Sequence, residues 1–187
     1  MNDFLQSLHP VTAVLHMKVI DILSRYDIKT VLDVGGVGKL NELMDCLVYN
    51  ANPTNIINPM SGCDLQFEDD KFDAVVSIAT LEHVDDPVKF LQECYRVAKK
   101  VSVHWFPCGD YAEEVEELKD RYGHWHPCNI PDYSIIDEKY DWEHFMNCGE
   151  HLLLCMTLTP SLKNPEVYEY VLNNYKEYYG LILIGEK

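Results

Sequence analysis

Residues 31–39, Val-Leu-Asp-Val-Gly-Gly-Val-Gly-Lys, constrain this chain more than any other stretch. Val31, Leu32 and Val34 predict a buried parallel strand, interrupted near its end by one acid, Asp33. Three glycines, Gly35, Gly36 and Gly38, follow at once. Leu40, Leu43 and Met44 then recur at helical spacing. Strand, glycine turn and helix open a nucleotide-binding βαβ unit. Glycine lets backbone approach a ligand closely, and a helix N-terminus offers free N–H groups to a negative group. Taken alone, the same residues also describe a plain tight turn.

A second stretch, Asp64 to Lys100, narrows the choice. It contains Asp64-Leu-x-Phe67-x-Asp69-x-x-Phe72-Asp73, then a Val-rich strand that ends in Leu81-Glu82-His83-Val84, then a helix that closes with Tyr95-Arg96-Val97-Ala98-Lys99. With the Asp33 strand end, these motifs in this order resemble the class I S-adenosylmethionine-dependent methyltransferases, sharply from about Val31 to Phe106 and diffusely elsewhere. The resemblance implies an α/β, Rossmann-like doubly wound fold. It would have a seven-stranded, mostly parallel sheet with one antiparallel strand, helices on both faces, and a single domain over 1–187. It implies S-adenosylmethionine as cofactor, S-adenosylhomocysteine as product, and a small-molecule or unidentified acceptor.

The resemblance also assigns positions. Asp33 would relay a hydrogen bond to the methionine ammonium, and the backbone of Gly35, Gly36 and Gly38 would pass beneath the cofactor. The family turn reads Asp-x-Gly-x-Gly-x-Gly. Asp33 and Gly35 match it, while Val37 and Lys39 stand where it has glycine. Lys39 could face the methionine carboxylate. At the end of the second strand, where the family has an acid on the ribose hydroxyls, Asn50 aligns best, with Asn52 as the alternative. A neutral amide grips a diol less firmly than a carboxylate. Asp64 would accept from the adenine amine, Ala79 and Thr80 would lie beside the sulfonium, and Leu81 would pack near the adenosine. His83, or His124, is the candidate general base, since imidazole titrates near working pH. Glu82 and His83 also admit a structural reading as a helix-start pair.

The rest of the chain fills in around this frame. Pro10 and the apolar spacing from Val11 predict a helix to Tyr26, which packs on the sheet and could lid the cofactor. Strands are expected at Asp45–Asn50, Asn55–Asn58, Phe72–Ile78, Val101–Phe106 (stopped by Pro107), His151–Leu158 and Leu181–Ile184. Helices are expected at Pro87–Lys100, Asp110–Tyr122 and Pro165–Tyr179, the last closed by Gly180. Phe67 and Phe72 should wedge the loop before the fourth strand onto the core. The residues from Trp105 to Gly109 should wall the acceptor pocket, and the aromatic, proline-stiffened loop Gly123–Asp132 should take part in recognition.

Charge limits the partners. With 31 acidic and 15 basic residues the net charge is −16, which opposes binding to nucleic acid or an acidic membrane. The sequence shows no membrane-length apolar run and no secretion signal, and seven cysteines make no disulfide framework, so a cytoplasmic, reducing setting is expected. Oligomeric state is left open. His-x-x-x-Cys recurs at His104/Cys108, His124/Cys128, His144/Cys148 and His151/Cys155, without a close-spaced zinc signature, and no bound metal is expected. Two rivals to methyl transfer stand: a degenerate methyltransferase-like scaffold, favoured by Val37, Lys39 and Asn50, and a His/Cys metal-binding protein.

Overall fold

The computed structural model describes residues 10–36, 39–51, 60–108, 138–147 and 179–187. They comprise helix α1 (Pro10–Leu23), strand β1 (Thr30–Val34), β2 (Leu47–Ala51), β3 (Phe72–Ile78), helix α2 (Pro87–Val97), β4 (Ala98–Cys108), β5 (Asp141–Asn147) and β6 (Tyr179–Glu186). The strands form one sheet in the order β2-β1-β3-β4-β6-β5. β1 pairs in parallel with β2 and β3, and β3 in parallel with β4. β6 runs antiparallel to both β4 and β5, so one strand of the six opposes the rest. The mostly parallel α/β sheet with one antiparallel strand is as expected. The described strands number six, and the strand expected at Asn55–Asn58 lies outside the described residues.

Both faces of the central strands are covered, which is why β1, β3 and β4 read as near-continuous apolar runs. On one face Leu15, Val19, Ile22 and Leu23 of α1 meet Val31, Ala74, Val76, Val101, Val103 and Trp105. On the other, Phe90, Leu91, Cys94 and Val97 of α2 meet Leu32, Val34, Val75 and Phe106. Successive strand residues point to opposite faces, so Ser77, Ser102 and His104 share the α2 face with Val75 and Phe106. His104 is fully buried there. Its Nδ1 lies 2.7 Å from Ser77 Oγ and its Nε2 lies 2.7 Å from Ser102 Oγ. Tyr140 Oη donates to Leu91 O at 3.0 Å and reaches Ser102 Oγ at 3.2 Å. Burial pushes the His104 imidazole down to about 3, so the ring is neutral.

Several boundaries depart from the sequence expectations for physical reasons. After the glycine turn the described residues form a 3₁₀ turn, Lys39–Glu42, in place of the expected helix. α1 stops at Leu23 rather than Tyr26, and α2 stops at Val97 because Ala98 turns extended and starts β4 directly. Pro107 does not stop β4. Trp105 O accepts from Ala79 N on the β3 side, and Pro107, two residues on, faces the same side past the last β3 pair, Ile78–Trp105. Its missing N–H is not needed there. Gly180 does not close a helix but lies inside β6, paired with Pro107. β5 is a strand the sequence reading did not place. The side chains of Asp141, Trp142 and Glu143 are exposed, so no alternation marks it. The expected elements at Asp110–Tyr122 and His151–Leu158 lie outside the described residues.

Two polar clusters fix the loops. Asp73, at the start of β3, accepts from Lys29 N at 2.9 Å and Thr30 N at 3.1 Å, and pairs with Lys100 Nζ at 3.3 Å. Burial alone would raise its carboxyl, but the Lys29 and Thr30 N–H groups and the Lys100 ammonium hold it below the usual range. Arg96 of α2 donates to Glu93, to Asp69, and to the carbonyls of Leu65 (2.9 Å) and Phe67 (2.8 Å). Glu93 Oε2 in turn accepts from Leu65 N at 3.0 Å. Phe67 stacks edge-on against Phe72 at 4.9 Å, as expected for a wedge. The loop from residue 61 to 70 is thus clamped to α2 by one guanidinium. Arg96→Ala leaves buried carbonyls unpartnered, at about 1–3 kcal/mol. It should lower the urea midpoint and speed amide exchange at Leu65 and Phe67, measurable by hydrogen-exchange NMR. Unchanged exchange at both amides would remove Arg96 from this role.

Candidate functional site

The carboxyl ends of β1, β2 and β3 enclose a cavity of about 530 Å³. Chain order reverses here: β1 leads to β2 on one side, and the chain returns to β3 on the other. In open α/β sheets such a crevice is where ligands bind. β1 supplies Val34 and Gly35, and β2 supplies Ala51. Ala79 and Thr80 follow β3 on the opposite wall, while Ser61, Gly62 and Cys63 come from the clamped loop. His83, Val84 and Asp85 lead into α2, whose first turn adds Asp86, Lys89 and Phe90.

The backbone at this crevice is specialised. Gly35 has φ +82°, and a Cβ there would fall 2.4 Å from the Thr80 side chain. No other residue fits that combination of angle and closeness. Its N–H donates to Ala51 O at 2.7 Å, which carries the β1–β2 ladder to the cavity edge. Across the gap Ala79 also holds a positive φ, 52°, with a Cβ present. Such angles cost energy and cluster at working sites. Asp86 caps α2, its Oδ1 accepting from Lys89 N at 2.9 Å with Pro87 at the first helical position.

Two carboxyls are buried beside the cavity. Asp33 is 4% exposed, and its carboxyl lies where a Gly36 Cβ would sit, 1.7 Å from Oδ2. Burial pushes Asp33 up to about 7. Glu82 is also 4% exposed, on the 3₁₀ turn Leu81–His83. Among the described residues its Oε2 finds no hydrogen-bond partner. Burial pushes Glu82 up to about 7 too, against the pull of its own N–H. Its Oε1 lies 4.0 Å from Nε2 of His83, whose side chain is half exposed on the cavity.

The structure brings Gly35, Ala79, Thr80 and His83 to one cavity, with Asp33 and Gly36 immediately beneath Gly35. Others sit elsewhere. Leu81 is fully buried in the core, where it anchors the turn, and is not on the cavity wall. Asn50 Nδ2 contacts Asn41 Oδ1 at 3.4 Å, and its neighbour Ala51 takes the cavity side. Asp64 is exposed, and Cys63 before it lines the cavity instead. Trp105 does not wall the cavity: it is buried on the α1 face with Nε1 donating to Phe145 O at 3.4 Å. Gly38 and His124 lie outside the described residues, as does the loop Gly123–Asp132, and the Lys39 side chain is not described. Among the His-x-x-x-Cys pairs His104 has a described side chain, and both its ring nitrogens face serine hydroxyls rather than a metal. Among the described residues no group of three His, Cys, Asp or Glu could hold a metal ion. The sequence reading passed over Ser61, Asp86, Lys89 and Phe90. The legible signal was Asp86-Pro87, a capped helix start that follows β3 after one short turn.

The cavity fits the cofactor that the sequence resemblance implies. Its volume lies in the ordinary range for small-molecule sites. Gly35 has no Cβ to collide with Thr80, so the β1 and β3 walls come close, and Val34, Ala51 and Phe90 offer an apolar floor.

Residues 39–106 match the family model described as a methyltransferase domain. No curated protein matches the sequence. Among solved structures, a geranyl diphosphate C-methyltransferase from Streptomyces coelicolor A3(2) superposes with TM-score 0.70 at 12% identity, over 98% of this chain and 83% of that one. A phosphoethanolamine N-methyltransferase 2 from Haemonchus contortus gives 0.62 at 14%, over 91% of this chain and 52% of that one. The cyclase SpnF gives 0.60 at 13%, over 92% and 80%. At such identities these likenesses speak for the fold.

The buried carboxyls set a pH dependence with a definite sign. Asp33 and Glu82 have folded values raised above their unfolded ones, so the folded state holds protons the unfolded chain releases. Stability is full below pH ~4 on this account and falls as pH rises toward 7, then levels. Glu93 works the other way: hydrogen bonding to Arg96 lowers it, so its contribution is lost as the carboxyl protonates in acid. Thermal unfolding should therefore show higher stability at mildly acidic pH than at pH ~8. Asp33→Asn should flatten the neutral limb and gain on the order of a few kcal/mol there. A variant no more stable than wild type at pH ~8 would contradict the burial argument.

Proposed function

We propose that this chain, a member of the class I S-adenosylmethionine-dependent methyltransferase family, transfers a methyl group to a small-molecule acceptor bound at the β1–β3 crevice. The single observation that carries this is the cavity itself, at the strand-order reversal, with Gly35 at φ +82° on its wall. S-adenosylmethionine, when bound, supplies a methyl already activated on a sulfonium. What remains for the protein is placement, and holding reactants in line can account for most of a rate enhancement.

The residues divide that work. Gly35 lets the main chain reach the ligand, and Val34 and Phe90 keep water from the floor. Asp33, under Gly36, supplies an anionic or hydrogen-bonding anchor for a cationic group. Thr80, whose Oγ1 reaches Val34 O at 3.3 Å, ties the two walls together. His83 stands on the cavity with a solvent-reaching ring suited to hold an acceptor's proton. Asp85, Asp86 and Lys89 form a polar rim for acceptor contacts.

A net charge of −16 opposes nucleic acid as the acceptor. The thiols of Cys46, Cys63 and Cys94 are unpaired, in keeping with a cytoplasmic setting. No helix among the described residues is long and apolar enough to cross a membrane. A domain spanning 1–187 is part of the same reading.

A scaffold without activity is the competing reading, and Asn50 favours it: its amide turns to Asn41 and leaves Ala51 at the crevice. Titration calorimetry separates the two. S-adenosylmethionine and S-adenosylhomocysteine should bind with micromolar affinity. Gly35→Val, which forces a side chain into Thr80, should abolish binding, and Asp33→Ala should weaken it at least tenfold. No heat at millimolar ligand would overturn the methyltransferase reading and leave the scaffold.

A further inference from the structure

Glu82 stands out among the buried polar groups. Its carboxyl is nearly inaccessible to solvent, yet Oε2 has no hydrogen-bond partner among the described residues. A buried, unpartnered oxygen costs stability and calls for an explanation. Its other oxygen, Oε1, lies 4.0 Å from Nε2 of His83. That ring lines the cavity and is 51% exposed, so one end of this pair is dry and the other meets ligand and water. The turn is held rigidly, with Leu81 fully buried, His83 N donating to Thr80 O at 2.9 Å and Val84 N to Leu81 O at 3.4 Å.

We propose that Glu82 and His83 work as one electrostatically coupled pair at the cavity edge, with His83 facing the acceptor and the Glu82 carboxyl, 4.0 Å from its ring, as the charge behind it. This rests on reading the cavity as the methyl-transfer site. The proton balance is simple. A proton leaving the acceptor goes to the unprotonated ring nitrogen of His83, the ring becomes an imidazolium, and the Glu82 carboxylate offsets that charge. The imidazolium then releases the proton to water from its exposed edge, and no other reactant is needed.

Among the described residues, other ionisable groups lie near the pair. α2, which packs on the turn, presents Lys89 at the cavity rim, buried Cys94, and Glu93 and Arg96, which are spent on each other. β4, also packed on it, presents neutral His104, while Lys99 and Lys100 lie at its opposite end. Asp85, Asp86 and Cys63 share the cavity with His83. Asp33 is held on the β1 side under Gly36. None of these is a cause of the Glu82 shift, which comes from burial, opposed by its own N–H.

The test uses the unliganded full chain, isotopically labelled, with His83 assigned through His83→Gln. The ring nitrogens of His83 and the side-chain carboxyl carbon of Glu82 are followed by NMR from roughly pH 4 to 9. Coupled groups report the same macroscopic steps. In the wild type both nuclei should therefore show the same two midpoints. In Glu82→Gln, His83 should titrate in one step, with proton affinity about three- to tenfold lower, as expected on losing a neighbouring negative charge. A merely structural Glu82 would lower stability without moving the His83 curve. Independent midpoints in the wild type, or an unmoved His83 in Glu82→Gln, would overturn the pair. The wild-type measurement stands even where the variant fails to fold. Calorimetry with S-adenosylhomocysteine on the same samples scores the methyltransferase reading separately, so a failure of either is recognisable.

Discussion

Phe72 to Ile78 runs between two hydrogen-bonded neighbours with packed side chains on both faces, so no polar group within β3 can fall back on water. That dryness governs the rest of the molecule. It demands apolar residues at nearly every inward position of β1, β3 and β4. It also demands that each polar residue kept there be matched. The matched set is visible: Ser77, His104, Ser102 and Tyr140 satisfy one another and the Leu91 carbonyl on the α2 face. His104 stays neutral because the cost of burying an imidazolium exceeds anything two hydroxyls return. Phe90 packs edge-on to His104 at 5.9 Å and also forms the cavity floor, so this network sets the shape of the site at one remove.

The same dryness sends charge to the strand ends. At the amino ends charge is well paired: Asp73 with the Lys29 and Thr30 amides and Lys100. At the carboxyl ends it is not. Asp33 and Glu82 are buried carboxyls, raised by desolvation, at the end of β1 and just past β3. Positive φ at Gly35 and Ala79 adds strain at the same place. One end of the sheet is built for stability. The other holds unreturned cost where a ligand would sit, a distribution expected of a working crevice.

How much of this the sequence disclosed follows from the same physics. β3 and the α2 start were legible to the residue because a two-sided buried strand must be apolar throughout, and Asp86-Pro87 is a capped start with a fixed φ. The central strands were legible for the same reason, while the mostly parallel sheet with one antiparallel member followed from the family resemblance. What failed was local length. The periodicity of Leu40, Leu43 and Met44 is helical, yet the described residues there form one 3₁₀ turn. Pro107 reads as a stop, but only a paired N–H makes proline a stop, and pairing is a property of the neighbour. β5 carries no alternation because Asp141, Trp142 and Glu143, which point to both faces in turn, all meet solvent. In the site, Gly35, Ala79, Thr80 and His83 could be placed from their motifs, since each sits at or just past a strand end. Leu81, Asn50 and Asp64 could not, because one residue of register decides whether a side chain faces a cavity, a core or water.

Ala51 and Asn50 show what that register costs in functional terms. Asp33 pairs with Asn50, and Val34 with Ala51. The strand end that meets the cavity is therefore set by how far the β1–β2 ladder runs, and the Gly35 N–H to Ala51 O bond extends it one residue further. The φ of +82° at Gly35 then turns the chain away after that bond, and the missing Cβ clears space against Thr80. Among the described residues a neutral, small residue lines the β2 side. The His, Asp and Lys side chains that line the crevice lie on the β3–α2 side, where one turn and one capped helix start carry His83, Asp85, Asp86 and Lys89 together.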